Sequence, residues 1–117
     1  MLTLPYTFQY YFYSQATDMR KSFNGLHLLI VEQFKPNALP GKMFIFSSKR
    51  RDVVKVLYWD NDGFAIWYKR LEKGLFKFPS SDEKYMTLSS EILQQIFLGF
   101  DTKFSKKLKR FSITSLS

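Results

Sequence analysis

The apolar positions of the 117-residue chain change their period twice, and each change marks a different kind of element. Phe8 to Ser14 is so dense in Tyr and Phe that no alternation separates two faces. It reads as a strand, either sandwiched or an edge awaiting a partner. Met19, Phe23, Leu26, Ile30 and Phe34 then recur three or four residues apart and place one apolar stripe along a helix, with Thr17 or Asp18 as N-cap and Pro36 as its end. Arg20, Lys21 and Asn24 occupy the opposite, polar side. Asn24-Gly25 is a weak point, since a mid-helix glycine costs about 1 kcal/mol relative to alanine. Either another backbone packs closely there or the helix bends.

From Gly41 the period shortens to that of strands. Met43 to Ser47, Val53 to Trp59, Phe64 to Leu71 and Leu75 to Pro79 are short runs rich in β-branched and aromatic residues, divided by polar turns. Asp60-Asn61-Asp62-Gly63 predicts a three-residue hairpin loop with Gly63 as the left-handed bulge residue, so that Asp60 faces Phe64. Glu72-Lys73-Gly74 repeats the pattern. Thr87 to Asp101 returns to helical spacing, with Ser89 or Ser90 as cap and Leu88, Ile92, Leu93, Ile96 and Phe97 on the apolar side. The expected fold is α+β: one domain over residues 1–101, an antiparallel β-meander of four to five strands packed with two helices in the order β-α-β-β-β-β-α. Residues 102–117 read as a basic C-terminal tail, disordered on its own.

Composition narrows the function classes. The length supports one core and is too short for a Rossmann or TIM-barrel enzyme, and a hydrophobic content of 45% excludes a wholly disordered chain. No cysteine is present, which excludes a disulfide scaffold and thiolate metal sites, and the single His27 cannot build a histidine zinc site. No stretch approaches the roughly 18 apolar residues of a membrane span, and the uncharged opening, Met1 to Thr17, lacks the cationic start of a secretory signal. These features predict a cytoplasmic protein that uses neither membrane nor cofactor.

Charge adds a partner. Lys and Arg number 18 against 10 Asp and Glu, a net +8. The excess is localised: residues 42–79 hold nine cations against four anions, and residues 101–117 hold five against one. Such a field attracts polyanions and fades with salt, which puts nucleic acid ahead of anionic lipid or an acidic protein. In the register predicted above, one face of the central hairpin collects Lys55, Leu57, Trp59, Ala65, Trp67 and Lys69, while Val54, Val56, Tyr58, Ile66 and Tyr68 lie on the other, with Arg70 at its end. Two tryptophans interleaved with two lysines could stack bases and hold the adjoining phosphates. The competing arrangement covers each face with a helix and lays the lysine stems along the rings. Lys49-Arg50-Arg51 crowns a hairpin tip, able to reach phosphates or simply to keep a turn solvated.

Chemistry finds less support. Asp60 and Asp62 are the one close carboxylate pair, and the turn already explains both. No nucleophile elbow surrounds any serine and no glycine loop could cradle a phosphate. His27 alone reads as a packing or surface residue. A small metal-dependent nuclease is the outlying alternative, and the residues predict a protein that is not an enzyme.

Asp18-Met19-Arg20-Lys21-Ser22-Phe23-Asn24-Gly25-Leu26, Arg50-Arg51-Asp52, Lys55-Val56-Leu57-Tyr58-Trp59-Asp60, Gly63-Phe64, Trp67-Tyr68-Lys69-Arg70-Leu71-Glu72, Gly74, Phe76 and Pro79 together resemble one family over roughly residues 9 to 101. It is the Orf2-like accessory protein, called TnpB, of bacterial transposable elements of the insertion-sequence-sixty-six class. Phe78 stands where that family often has Trp. The resemblance implies a bacterial accessory factor encoded beside a separate, larger transposase that carries the acidic catalytic residues. The unrelated RNA-guided nucleases that share the name are longer and have zinc-ribbon cysteines. The expected function is non-catalytic DNA binding in transposition, through Arg20, Lys21, Lys49, Arg50, Arg51, Lys55, Trp59, Trp67, Lys69, Arg70 and Lys73. The alternative is a module that docks on the transposase by its aromatic N-terminal strand or Trp face, with little DNA affinity of its own.

Overall fold

The computed structural model describes residues 2–99, and the tail expected over 102–117 lies outside them. In chain order the elements are β1 (Gln9–Tyr13), α1 (Phe23–Val31), a 3-10 turn (Pro36–Ala38), β2 (Lys42–Ser47), β3 (Val53–Asp60), β4 (Gly63–Arg70), β5 (Tyr85–Leu88) and α2 (Ser90–Phe97). The α+β order anticipated from the periods is therefore present, in one mixed sheet of order β4-β3-β2-β1-β5. β2, β3 and β4 form the antiparallel meander. β1 returns through α1 to lie parallel to β2, and β5 closes the other side antiparallel to β1. A parallel neighbour requires a crossover, which is the task of α1.

Each helix covers one face. Leu26 and Ile30 of α1 pack with Phe44, Phe46, Leu57 and Tyr85, while Leu93, Ile96 and Phe97 of α2 pack with Phe12, Ile45 and Val56. This double burial explains why β1 shows no alternation: Tyr10 and Phe12 face one cluster, Tyr13 the other, and all three are buried. The α2 cap is the expected one, with Ser89 Oγ accepting from the Ile92 amide at 3.2 Å. No helix among the described residues is long and apolar enough to cross a membrane.

Three local expectations are corrected. α1 starts at Phe23, after Ser22, and not at Thr17 or Asp18, because Asp18 is engaged with Arg20 and turns the chain before the helix begins. Phe23 is consequently exposed, Leu26 and Ile30 are the fully buried stripe residues, and Met19 and Phe34 pack half-buried against the same cluster. Leu75 to Pro79 is not a meander strand. Its alternation is real, with Phe76 buried and Phe78 half-buried on either side of an exposed Lys77, but the segment crosses the α2 face of the sheet, and the Phe76 amide donates to the Arg51 carbonyl. The remaining strand is Tyr85–Leu88, which takes Thr87 and Leu88 from the start of the span expected for the second helix.

The third correction concerns register. Asp60 pairs with Gly63, not Phe64, because the turn has two residues, with Asn61 and not Gly63 at positive φ (58°). Asn tolerates this conformation better than most side chains, so Asp-Asn-Asp-Gly accommodates the shorter turn. A slip of one residue moves every β4 side chain to the other face.

Burial also sets a pH limit. Desolvation pushes the Tyr10 phenol up to about 12 and raises that of Tyr85, whose hydroxyl donates to the Leu29 carbonyl at 2.9 Å. A phenol whose pKa is higher folded than unfolded stabilises the fold fully below the unfolded value of about 10, and that contribution drains away as pH rises through the folded value. Stability is therefore expected to fall between pH 10 and about 12. Denaturant midpoints measured across this window check it, and Tyr10→Phe with Tyr85→Phe should flatten the decline.

Candidate nucleic-acid interface

The corrected register separates the two tryptophans. Pairing of Leu57 with Ile66, Trp59 with Phe64 and Lys55 with Tyr68 puts these residues and Arg70 on the α1 face, whereas Trp67 and Lys69 pair with Val56 and Val54 on the α2 face. The platform of two tryptophans between two lysines is therefore not formed. Both rings are half-buried: Trp59 meets Phe64 edge-on with centroids 5.2 Å apart, and Trp67 packs against Phe97 of α2 at 5.3 Å. Each face is covered by a helix, as in the competing arrangement.

The hairpin tip also divides. Lys49 and Arg50 are exposed, but Arg51 turns inward. Its backbone is left-handed (φ 65°), its guanidinium donates to the Ser14 carbonyl at 3.0 Å, and its charge centre lies 5.1 Å from the centroid of the Phe12 ring. Burial lowers its pKa, yet a guanidinium remains charged at any physiological pH. Ser48 Oγ accepts from the Val53 amide at 3.2 Å and bonds Asp52 at 3.0 Å, which holds the base of the tip while its outer residues stay free.

Beside the tip, on the α1 face, the fold gathers a small cationic group. Lys55 Nζ donates to the Lys21 carbonyl at 2.8 Å and lies 5.7 Å from the centre of the Tyr68 ring. Arg70, two residues further on the same face, pairs with Val53 at the foot of the tip. Tyr68 keeps 51% of its surface exposed among these cations. Gly25 finds its reason here: a Cβ at that position would sit 3.1 Å from the Lys21 side chain. What passes close to the helix is thus the Lys21 stem and not another backbone. Arg20 contributes little field, since Asp18 binds it at 2.7 Å and is itself held down to about 2 by that guanidinium.

Lys69 and Lys73 belong to a different place. With Lys77 they rim a cavity of about 410 Å³ on the α2 side, floored by Leu71, Leu75 and Phe97. Trp59 lies at the far end of β3 from the tip, about 20 Å away at the usual rise of a strand. There it lines an apolar cavity of about 370 Å³ with His27, Pro36, Leu39, Pro40 and Phe64. Of the eleven residues expected to form one site, Lys21, Lys49, Arg50, Lys55 and Arg70 lie at one end of the sheet, joined by Tyr68, which the sequence reading placed beside Arg70 without a functional role. Its pairing with Lys55 follows from register alone. Asp60 and Asp62 stay in the turn, and among the described residues no three His, Cys, Asp or Glu side chains converge as a metal site would require.

Comparison with known proteins adds the lineage. The family model described as IS66 Orf2 like protein matches residues 8–107. The match extends six residues past the span expected from the motifs, so it takes in Lys103, Lys106 and Lys107. The uncharacterized protein y4hO of Sinorhizobium fredii is 32% identical over 94 residues, which are 80% of this chain and 82% of that protein. The uncharacterized protein y4jC of the same organism is 32% identical over 95 residues, 80% of this chain and 81% of its own. No solved structure matches.

Proposed function

Because the chain belongs to the IS66 Orf2-like family, which implies an accessory role in a transposable element, we propose that it assists transposition without catalysing it, by binding DNA at the hairpin tip and the adjoining end of the α1 face. The observation that supports this reading is the grouping of Lys21, Lys49, Arg50, Lys55 and Arg70 around an exposed Tyr68. Lys49 and Arg50 stand clear of the globule and can meet phosphates without first breaking an internal contact. Lys55 and Arg70 sit beside them, and the Tyr68 ring offers a surface on which an unpaired base can stack. The bacterial cytoplasm, with the nucleoid, is where such a protein would act.

Titration of DNA affinity against salt tests it. Affinity should fall steeply with salt, and Lys49→Ala with Arg50→Ala should weaken binding and reduce the log-log salt slope by about 2, since each phosphate contact contributes about 0.9. No binding at low salt, or a double variant indistinguishable from wild type, would remove the proposal.

A second reading has one observation in its favour. The apolar cavity lined by Trp59, Phe64 and the two prolines lies at the other end of the sheet and would suit an apolar side chain of the transposase. Co-purification with the transposase and no salt-dependent DNA affinity would make this docking the principal role.

A further inference from the structure

The fourth predicted strand, Leu75 to Pro79, crosses the α2 face instead of pairing beside β4, and among the described residues this leaves no strand along the outer edge of β4. Which of its backbone groups are free can be worked out. Leu71 donates its amide to the Asp52 carbonyl at 2.8 Å, continuing the β3 ladder, so the alternate residues Gly63, Ala65, Trp67 and Lys69 also point their backbone groups at β3. Phe64, Ile66, Tyr68 and Arg70 therefore direct theirs outward. All eight residues of β4 pair in unbroken register, so no bulge twists the edge away, and Gly63 to Tyr68 contains neither proline nor charge. By contrast, β5 at the opposite edge is only four residues long. Native proteins seldom leave a long, regular, apolar edge unpaired.

Charge along this edge selects the occupant. Asp60 and Asp62 lie at the start of β4, Lys69 and Arg70 at its end, and none of the four is in an ion pair among the described residues. A second copy paired antiparallel would bring the basic end of each chain beside the acidic turn of the other, twice by symmetry. Parallel pairing would set like charges together. Centred on Ile66, the antiparallel arrangement places Phe64 opposite Tyr68 of the second copy, and Tyr68 is the most exposed aromatic of the strand. We propose that this chain forms a symmetric dimer by antiparallel pairing of β4, which makes one continuous sheet of the two. The two α1 faces then lie on the same side, so each tip, with its exposed Lys49 and Arg50, is presented in duplicate.

Sedimentation equilibrium of the full chain without DNA tests this independently of the DNA-binding reading. A concentration-dependent dimer is expected for wild type, and a monomer for Tyr68→Pro, which removes an outward amide and no bond to β3, so its far-UV dichroism should be unchanged. Where that variant fails to fold, charge reversal decides. Asp60→Lys with Asp62→Lys should raise the dimer dissociation constant about tenfold or more, Lys69→Glu with Arg70→Glu should do the same, and combining all four should restore it. A wild type that is monomeric throughout overturns the proposal. So does a dimer indifferent to every one of these changes, which would mean that another protein, such as the transposase, or nothing at all, occupies the edge.

Discussion

Phe12→Ala is expected to remove a large share of the domain's folding stability. Phe12 is 1% exposed and central to the α2-side cluster, between Ile45 of β2 and Met86 of β5 in the sheet. Its ring lies parallel to that of Phe78 with centroids 3.9 Å apart, and the Arg51 guanidinium sits 5.1 Å from its centre. Removing a buried phenyl costs about 3–5 kcal/mol, the lost transfer energy plus the cavity that neighbours fail to fill. Small domains have about 5–15 kcal/mol in total, so the loss consumes a large share of it. Three separate structures meet on this ring: the sheet, the segment crossing it and the base of the hairpin tip. None can collapse into the gap without pulling on the others. Urea denaturation followed by tryptophan fluorescence measures the effect, and Phe12→Leu should recover more than half of it.

Arg51→Ala should destabilise the fold by about 2 kcal/mol while leaving the DNA salt slope of the folded protein unchanged. The magnitude follows from a charge-assisted hydrogen bond to the Ser14 carbonyl and from the guanidinium placed over the Phe12 ring. The expectation for DNA follows from where the guanidinium points, which is into the protein. Arg51→Gly makes the argument sharper. Glycine loses the same contacts but adopts the left-handed backbone of this position without the cost of about 1–2 kcal/mol that a Cβ incurs there. The glycine variant should therefore be more stable than the alanine variant, an order opposite to that expected in an ordinary strand. Denaturant midpoints for the pair, set beside the salt slope of Lys49→Ala with Arg50→Ala, separate the cation that holds the tip from the two that project from it. A salt slope reduced equally by Arg51→Ala would show that the inward contact gives way when DNA arrives.

Several of these features are legible in the amino-acid sequence. Period located both helices and the two central hairpins, and narrowed the α2 cap to Ser89 or Ser90, because helix and strand periodicity arises from contacts within a few residues or between adjacent strands. The motifs around Asp18 to Leu26 and Lys55 to Glu72 carried the family. The candidate site was less legible. Lys49 and Arg50 were recognisable as a projecting tip, but Arg51 is chemically indistinguishable from its neighbour in the sequence. Only a carbonyl 37 residues away, at Ser14, distinguishes it. The strand Tyr85–Leu88 was missed because four residues are too few to show a period.

From the amino-acid order alone come the α+β class, β1 to β4 to within a residue of their ends, the location of the positive charge and the family. Long-range packing sets which residues share a face, which segment fails to join the sheet beside β4 and which cations are free. The reason is physical. Whether Asp60-Asn61-Asp62-Gly63 turns over two residues or three is locally a matter of which residue takes positive φ, and both choices are open to Asn and Gly. That one residue reverses the orientation of every side chain in β4. Burial of Trp67 beneath α2 and of Ile66 beneath α1 accompanies the shorter turn, and those contacts join residues far apart in the chain.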